Sequence, residues 1–129
     1  MAGTPVIPSS MQSMYQSFQF APGTQVGNVV ILSGQIGVGD DGQAIADLEA
    51  QFTRAFDNVG EILKEAGLSF DDVVELLTFH VGLQDHLETF MKVKANYIKE
   101  PFPSWTAIGI TELALPGAAL EIKATAAAS

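Results

Sequence analysis

The sequence predicts an α+β fold, a mixed β-sheet carrying two helices on one face. Three observations predict it. Val29-Val30-Ile31-Leu32 and the stretch Val73 to Val81 are short β-rich runs bounded by glycine and polar residues, the pattern of buried strands. Apolar residues then switch to helical spacing from Asp47 and again from Asp85. The order of these segments is β-β-α-β-α-β-β, which interleaves helices with strands of one sheet rather than separating them.

Each element has a local reason. Residues 1–12 carry two prolines and little apolar periodicity, so an extended, partly mobile arm is expected. Met14 to Phe20 reads as a strand antiparallel to Val29–Leu32, turning at Pro22-Gly23. Gly37, Gly39, Asp40, Asp41 and Gly42 mark a loop. Leu48, Phe52, Phe56, Val59, Ile62 and Leu63 form the apolar stripe of the first helix, which stops at Gly67. Ser69 to Asp72 caps a short turn before the strand from Val73. Asp85 and Glu88 match a capping box, opening a second helix that buries Leu87, Phe90, Met91 and Tyr97 and runs to about Lys99. Pro101 and Pro103 end it, and strands follow at Ser104 to Ile110 and Leu120 to Ala126. The strand from Val73 has apolar residues at both parities, Val73, Leu77, Phe79 and Val81 against Val74 and Leu76. Helices cover only one face, so the other is expected to pack in a subunit interface.

The 129 residues suit one domain, residues 1–129. There is no cysteine, which excludes disulfides, thiolate nucleophiles and zinc–thiolate sites. No apolar run approaches the roughly 18 residues that span a bilayer, and no basic-then-apolar leader opens the chain, so a cytosolic protein is expected. A net charge of −9 with six Lys and Arg disfavours nucleic acid and anionic membranes as partners. Lys92, Lys94 and Lys99 share a helix but read as a solvated face. Hydrophobic content of 47% against 16% charged residues favours a homo-oligomer.

Three stretches carry a resemblance. Val26-Gly27-Asn28-Val29-Val30-Ile31-Leu32-Ser33-Gly34-Gln35-Ile36 is similar to a "GN-hydrophobic-SGQ" strand. Asp71-Asp72-Val73-Val74 opens the strand after the first helix. Pro103-Ser104-Trp105-Thr106-Ala107, followed by Leu115-Pro116-Gly117 and Leu120-Glu121-Ile122, is similar to a C-terminal signature. Together they resemble the Rid/YjgF (reactive intermediate deaminase) family over nearly the whole chain from about residue 20. The resemblance implies a chorismate-mutase-like fold, a homotrimer with a central barrel, outer helices and three intersubunit clefts. It also implies hydrolysis of reactive imines and enamines, made from amino acids, to keto acids and ammonia. The departures are specific. The family's deaminases carry an arginine where Trp105 stands, a tyrosine at Phe20 and an asparagine at Met91. Indole has one N–H and no charge, so it cannot reproduce a bidentate guanidinium clamp on a carboxylate. The chain therefore resembles a subgroup without that arginine.

Glu121 is the candidate catalytic residue, either a general acid or base in a cleft or a structural carboxylate beside Lys123. Trp105 and Phe20 are candidate cleft walls or core aromatics. Ser33 and Gly34 are candidate donors of backbone N–H groups to the substrate, or a strand end needing small residues. Met91, Thr106 and Ala107 complete the candidate substrate-binding set. His86 is expected at an exposed helix start; His80 shares the parity of Thr78 and Leu76, is expected to face the trimer interior, and reads as a satisfied buried histidine rather than a catalyst. No metal-ligand spacing, phosphate loop or serine triad is present, and no cofactor is expected. The expected partners are a small-molecule substrate and two further copies of the chain. Two functions fit: hydrolysis of a small imine or enamine not tuned to 2-imino acids, or non-catalytic binding of a metabolite or protein by the trimer. A ribonuclease role is disfavoured by the charge.

Overall fold

The computed structural model describes residues 2–129. It contains one six-stranded sheet and three α-helices. The elements are β1 (Thr4–Val6), α1 (Gln12–Phe18), β2 (Gly23–Val26), β3 (Val29–Leu32), α2 (Leu48–Glu65), β4 (Val73–His80), α3 (Leu83–Lys94), β5 (Ser104–Gly109) and β6 (Leu120–Ala127). The spatial order is β1-β2-β3-β6-β4-β5. Neighbours are antiparallel except β4 and β5, which run parallel with α3 as the crossover between them.

Helix α2 forms as its stripe foretold. Asp47 caps it, accepting the Ala50 N–H at 3.0 Å. Gly67, at φ 77°, supplies the left-handed stop just beyond its end. Phe52, Phe56, Val59, Ile62 and Leu63 are buried with Phe90 of α3 and with Val30, Leu32, Leu76, Leu120 and Ile122 of the sheet. Each such side chain contributes about 1.5–3 kcal/mol when fully buried, which makes this layer between helices and sheet the stabilising core. Tyr97 stacks on Phe56 at 4.8 Å between ring centres. Its hydroxyl donates to Asp57 at 2.7 Å, and burial with that carboxylate pushes its pKa up to about 12. Gln51 is fully buried inside α2. Its amide donates to Ile45 O (2.8 Å) and Gly117 O (3.2 Å) and accepts the Ala119 N–H (2.8 Å). At Gly37 a side chain would run into the Gln51 backbone, so the loop after β3 meets α2 where only glycine fits.

Four expectations are corrected. Met14 to Phe20 is not a strand: Gln12–Phe18 is helical and ends at Gln19, φ 61°. That stretch holds no β-branched residue. Strand β3 pairs instead with Gly23–Val26 across the two-residue Gly27-Asn28 turn, and Thr4–Val6 adds outside it. Helix α3 starts two residues before Asp85, with Gly82 at φ 76° as N-cap, because the chain turns directly out of β4 there. It closes at Lys94 rather than Lys99, where the chain turns to bring Tyr97 onto Phe56. Finally, a register shift between Val73 and Glu75 takes Val73 out of the parity of Leu77 and Phe79. Val73, Leu76, Thr78 and His80 face the helices, and Glu75, Leu77 and Phe79 face away.

Candidate functional site

Strand β6 alternates strictly: Leu120, Ile122, Ala124 and Ala126 are buried under the helices, and Glu121, Lys123 and Thr125 point to the other face. Glu121 is half-buried there. Its direct cross-strand neighbour on β4 is Phe79, and its carboxylate lies against Gly34 on the opposite side, where any Cβ would collide with it. Burial pushes its pKa up from the ordinary 4.5. The alternative of a carboxylate held by Lys123 is not what the structure contains. Lys123 donates instead to Leu32 O at 3.2 Å, and among the described residues the one ion pair is Lys92–Glu49. Among the described residues Glu121 is thus a half-buried carboxylate with no ion-pair partner, its pKa raised by desolvation.

Ser33 and Gly34 sit beside it with different duties. The Ser33 N–H donates to Pro22 O (2.8 Å) and its hydroxyl to Ala21 O (2.7 Å), so Ser33 is a structural tie, correcting its role as a donor to substrate. Among the described residues no backbone carbonyl takes the Gly34 N–H. Phe20 follows α1 and lines a groove of about 490 Å³ with Tyr15, Gln19 and Thr24.

Trp105 lies elsewhere. In the parallel pairing it stands level with Leu76, so it faces the helices, whereas Thr106 stands level with Leu77 and faces the side of Glu121. Trp105 is half-buried against Phe90 (5.8 Å between ring centres) under the Lys94 ammonium (4.5 Å), and its N–H donates to Thr78 Oγ1 at 3.0 Å. Ala107 shares its face. Met91 is exposed on α3, one turn before Lys94. Within one chain the candidates therefore form two groups. Phe20, Gly34, Thr106 and Glu121 belong to one end and the open face of the sheet, and Met91, Trp105 and Ala107 to the α3–β5 edge.

One histidine departs from expectation outright and the other in the face it takes. His86 is buried, its ring 5.0 Å from that of Phe52, because α3 begins earlier and turns it inward. His80 keeps the parity of Leu76 and Thr78 and is fully buried and hydrogen-bonded on β4, but that parity faces the helices rather than a subunit interface. The two rings meet at 3.1 Å between Nδ1 of His80 and Nε2 of His86. Sequence reasoning missed Phe79 and Lys94 as neighbours of the candidates. The 75–77–79 alternation and the spacing of Lys94 from Met91 were the available signals. Among the described residues no three His, Asp or Glu side chains gather as metal ligands would.

Comparison with known proteins matches residues 11–128 to the family model described as Endoribonuclease L-PSP. RutC family protein YjgH of Escherichia coli is 36% identical over 124 residues, covering 95% of this chain and 93% of that protein. A human 2-iminobutanoate/2-iminopropanoate deaminase is 35% identical over 104 residues, 78% of this chain and 74% of its own length. Among solved structures, protein YJGH superposes with a TM-score of 0.90 at 34% identity, covering 98% of this chain and 97% of that one. E. coli TdcF with bound serine superposes with a TM-score of 0.77 at 29% identity, covering 85% and 87%. Fold, motif order and these matches agree, and the chain belongs to the Rid/YjgF family.

Proposed function

We propose that the protein hydrolyses a small imine or enamine-type metabolite, releasing ammonia, in a cleft between subunits of a chorismate-mutase-like homotrimer. The observation that carries this reading is Glu121: half-buried, unpaired, raised in pKa and set against Gly34. Glu121 takes a proton from water as its oxygen attacks the C=N carbon. The same carboxyl passes that proton to nitrogen to complete the carbinolamine, then takes the carbinolamine hydroxyl proton and delivers it to nitrogen as the C–N bond breaks, so ammonia leaves with the carbonyl product. The Gly34 N–H polarises the substrate. Because Trp105 and Glu121 of one chain face opposite sides of the sheet, Trp105 reaches this site from a neighbouring copy, forming an apolar wall with Phe20. Met91 and Ala107 extend the wall and Thr106 borders the Glu121 face.

The reading disfavours 2-imino acids, since an indole with its N–H already bonded offers nothing to a carboxylate. Names of relatives point to imino-acid deamination in those proteins, and the tryptophan argues for a different substrate here. Nucleic acid is not a partner in this reading: charge is −9, Lys92 is paired with Glu49 and Lys94 lies on Trp105. The site calls for no cofactor, and a cytosolic location belongs to the same proposal. A second reading, a trimer that binds a metabolite without chemistry, is favoured by the exposed apolar Phe20 and Met91. Ammonia release from imines generated in situ separates the two. Turnover that disappears in Glu121→Gln supports hydrolysis, whereas binding retained in Glu121→Gln with no turnover in the wild type supports the second.

A further inference from the structure

Beneath Trp105 a chain of hydrogen bonds crosses the layer between α3 and the sheet. The indole Nε1–H donates to Thr78 Oγ1 at 3.0 Å, Oγ1 lies 2.8 Å from His80 Nε2, and His80 Nδ1 lies 3.1 Å from His86 Nε2. Thr78 and His80 are fully buried and His86 nearly so.

The chain has a direction, and the chemistry of its groups sets it. An indole N–H can only donate, so Thr78 Oγ1 accepts from Trp105. Among the described residues the only other polar partner of that hydroxyl is His80 Nε2. A buried hydroxyl proton left unpaired is costly, so Thr78 donates to His80 Nε2. A neutral imidazole with an accepting Nε2 carries its proton on Nδ1, and His80 therefore donates to His86 Nε2. His86 in turn holds its own proton on Nδ1. The ring of Trp105 meanwhile lies beside Phe90 and under the Lys94 ammonium.

We propose that Thr78, His80 and His86 are positioning residues for Trp105, a one-way hydrogen-bonded chain that turns the indole N–H into the protein and leaves only its carbon edge for a substrate. This rests on the preceding reading that Trp105 lines the cleft, and it narrows the substrate class. The part of the substrate meeting this wall is apolar and carries no hydrogen-bond acceptor.

The test is nitrogen-15 NMR on the whole oligomer with labelled histidine and tryptophan. Trp105 is the one tryptophan, so the indole signal is unambiguous. At neutral pH both histidines are expected as the Nδ1–H tautomer, and the indole N–H to exchange slowly. His80 found with its proton on Nε2 would overturn the chain's direction without any substitution being made. Thr78→Val should shift the indole resonance and speed its exchange about tenfold, the equivalent of one net hydrogen bond, with Thr78→Ser restoring it. His86→Phe, which does not touch the indole, should move the same resonance less. An indole signal unchanged in Thr78→Val sinks the proposal. An indole freed in Thr78→Val while the ratio of kcat/KM between apolar and polar imines holds constant overturns the role in selectivity. Absence of turnover in the wild type counts against the hydrolase reading alone, and the NMR still decides the chain.

Discussion

At the scale of single residues, Glu121 and Gly34 define one another. The glycine leaves room for a carboxylate that, among the described residues, has no ion-pair partner and stands opposite Phe79 on the neighbouring strand. Glu121→Gln is expected to lower ammonia release by about 10²–10⁴-fold, the usual worth of a positioned acid–base group. The same substitution should leave the melting temperature unchanged or raise it. The pKa of Glu121 is higher in the folded chain than in the unfolded one, so its ionised form opposes folding at neutral pH, and removing the charge relieves that. Activity in the wild type should rise with pH along a limb whose midpoint lies above 4.5, and a limb at the ordinary glutamate position would deny Glu121 its role. Gly34→Ala tests the geometry separately. A methyl there displaces the carboxylate, so turnover should drop by about 10²-fold, as misplacement by an ångström does elsewhere, with the fold intact by circular dichroism. Trp105→Arg should gain turnover of acidic imines in the same assay, because a guanidinium supplies the two parallel donors that indole lacks. No such gain would mean that this position does not meet the substrate.

Among the elements, α3 and β4 hold the feature with the clearest pH consequence. His80 is kept neutral by burial and by His86 beside it, its pKa lowered to about 4, and burial lowers that of His86 too. Asp85 next to His86 pulls the other way, and the Lys94 ammonium lies at the far end of the chain, over Trp105. The unfolded chain takes up protons on both imidazoles below about pH 6.5 while the folded one does not. Stability is therefore full above that pH and declines as pH falls from about 6.5 to about 4. The loss through His80 is at most about 3 kcal/mol. Urea denaturation across this range should show the decline, and His80→Phe should flatten it. Legibility in the sequence varied by element for related reasons. Helix α2 was readable because its cap, stripe and glycine stop are all local. Helix α1 was not, because it buries none of its residues and so writes no stripe, while Tyr15, Phe18 and Phe20 mimic a strand. The start of α3 was misread because Gly82 adopts a left-handed conformation at the end of a strand, which composition does not announce. The shift of register in β4 took Val73 onto the face of Leu76, Thr78 and His80, and single-residue bulges leave no trace in a hydropathy pattern. Glu121 and Gly34 could be named from motifs, whereas their contact, and the separation of Trp105 from both, depends on pairings between distant strands.

For the whole molecule, the helices cover one face of the sheet and leave apolar side chains on the other. Ile31 and Val74 are 43% and 49% exposed, and Leu77 and Phe79 are half-buried beside them. This face is the one the proposed trimer buries. Light scattering should give about three times the 13.7 kDa chain mass, and Val74→Lys should reduce it toward the monomer with loss of turnover. A monomeric wild type would dismantle the intersubunit cleft. Across the top of the molecule, one buried amide spans segments far apart in the chain. Gln51 holds Ile45 after β3 and Gly117 and Ala119 before β6, so the two loops hang from a common hinge pin. Gln51→Leu strands three backbone groups at about 1–3 kcal/mol each, and hydrogen exchange should then quicken in both loops together. The second of those loops leads straight into Leu120 and Glu121. Slack admitted on one side of the protein would thus travel through a single side chain to the carboxylate on the other.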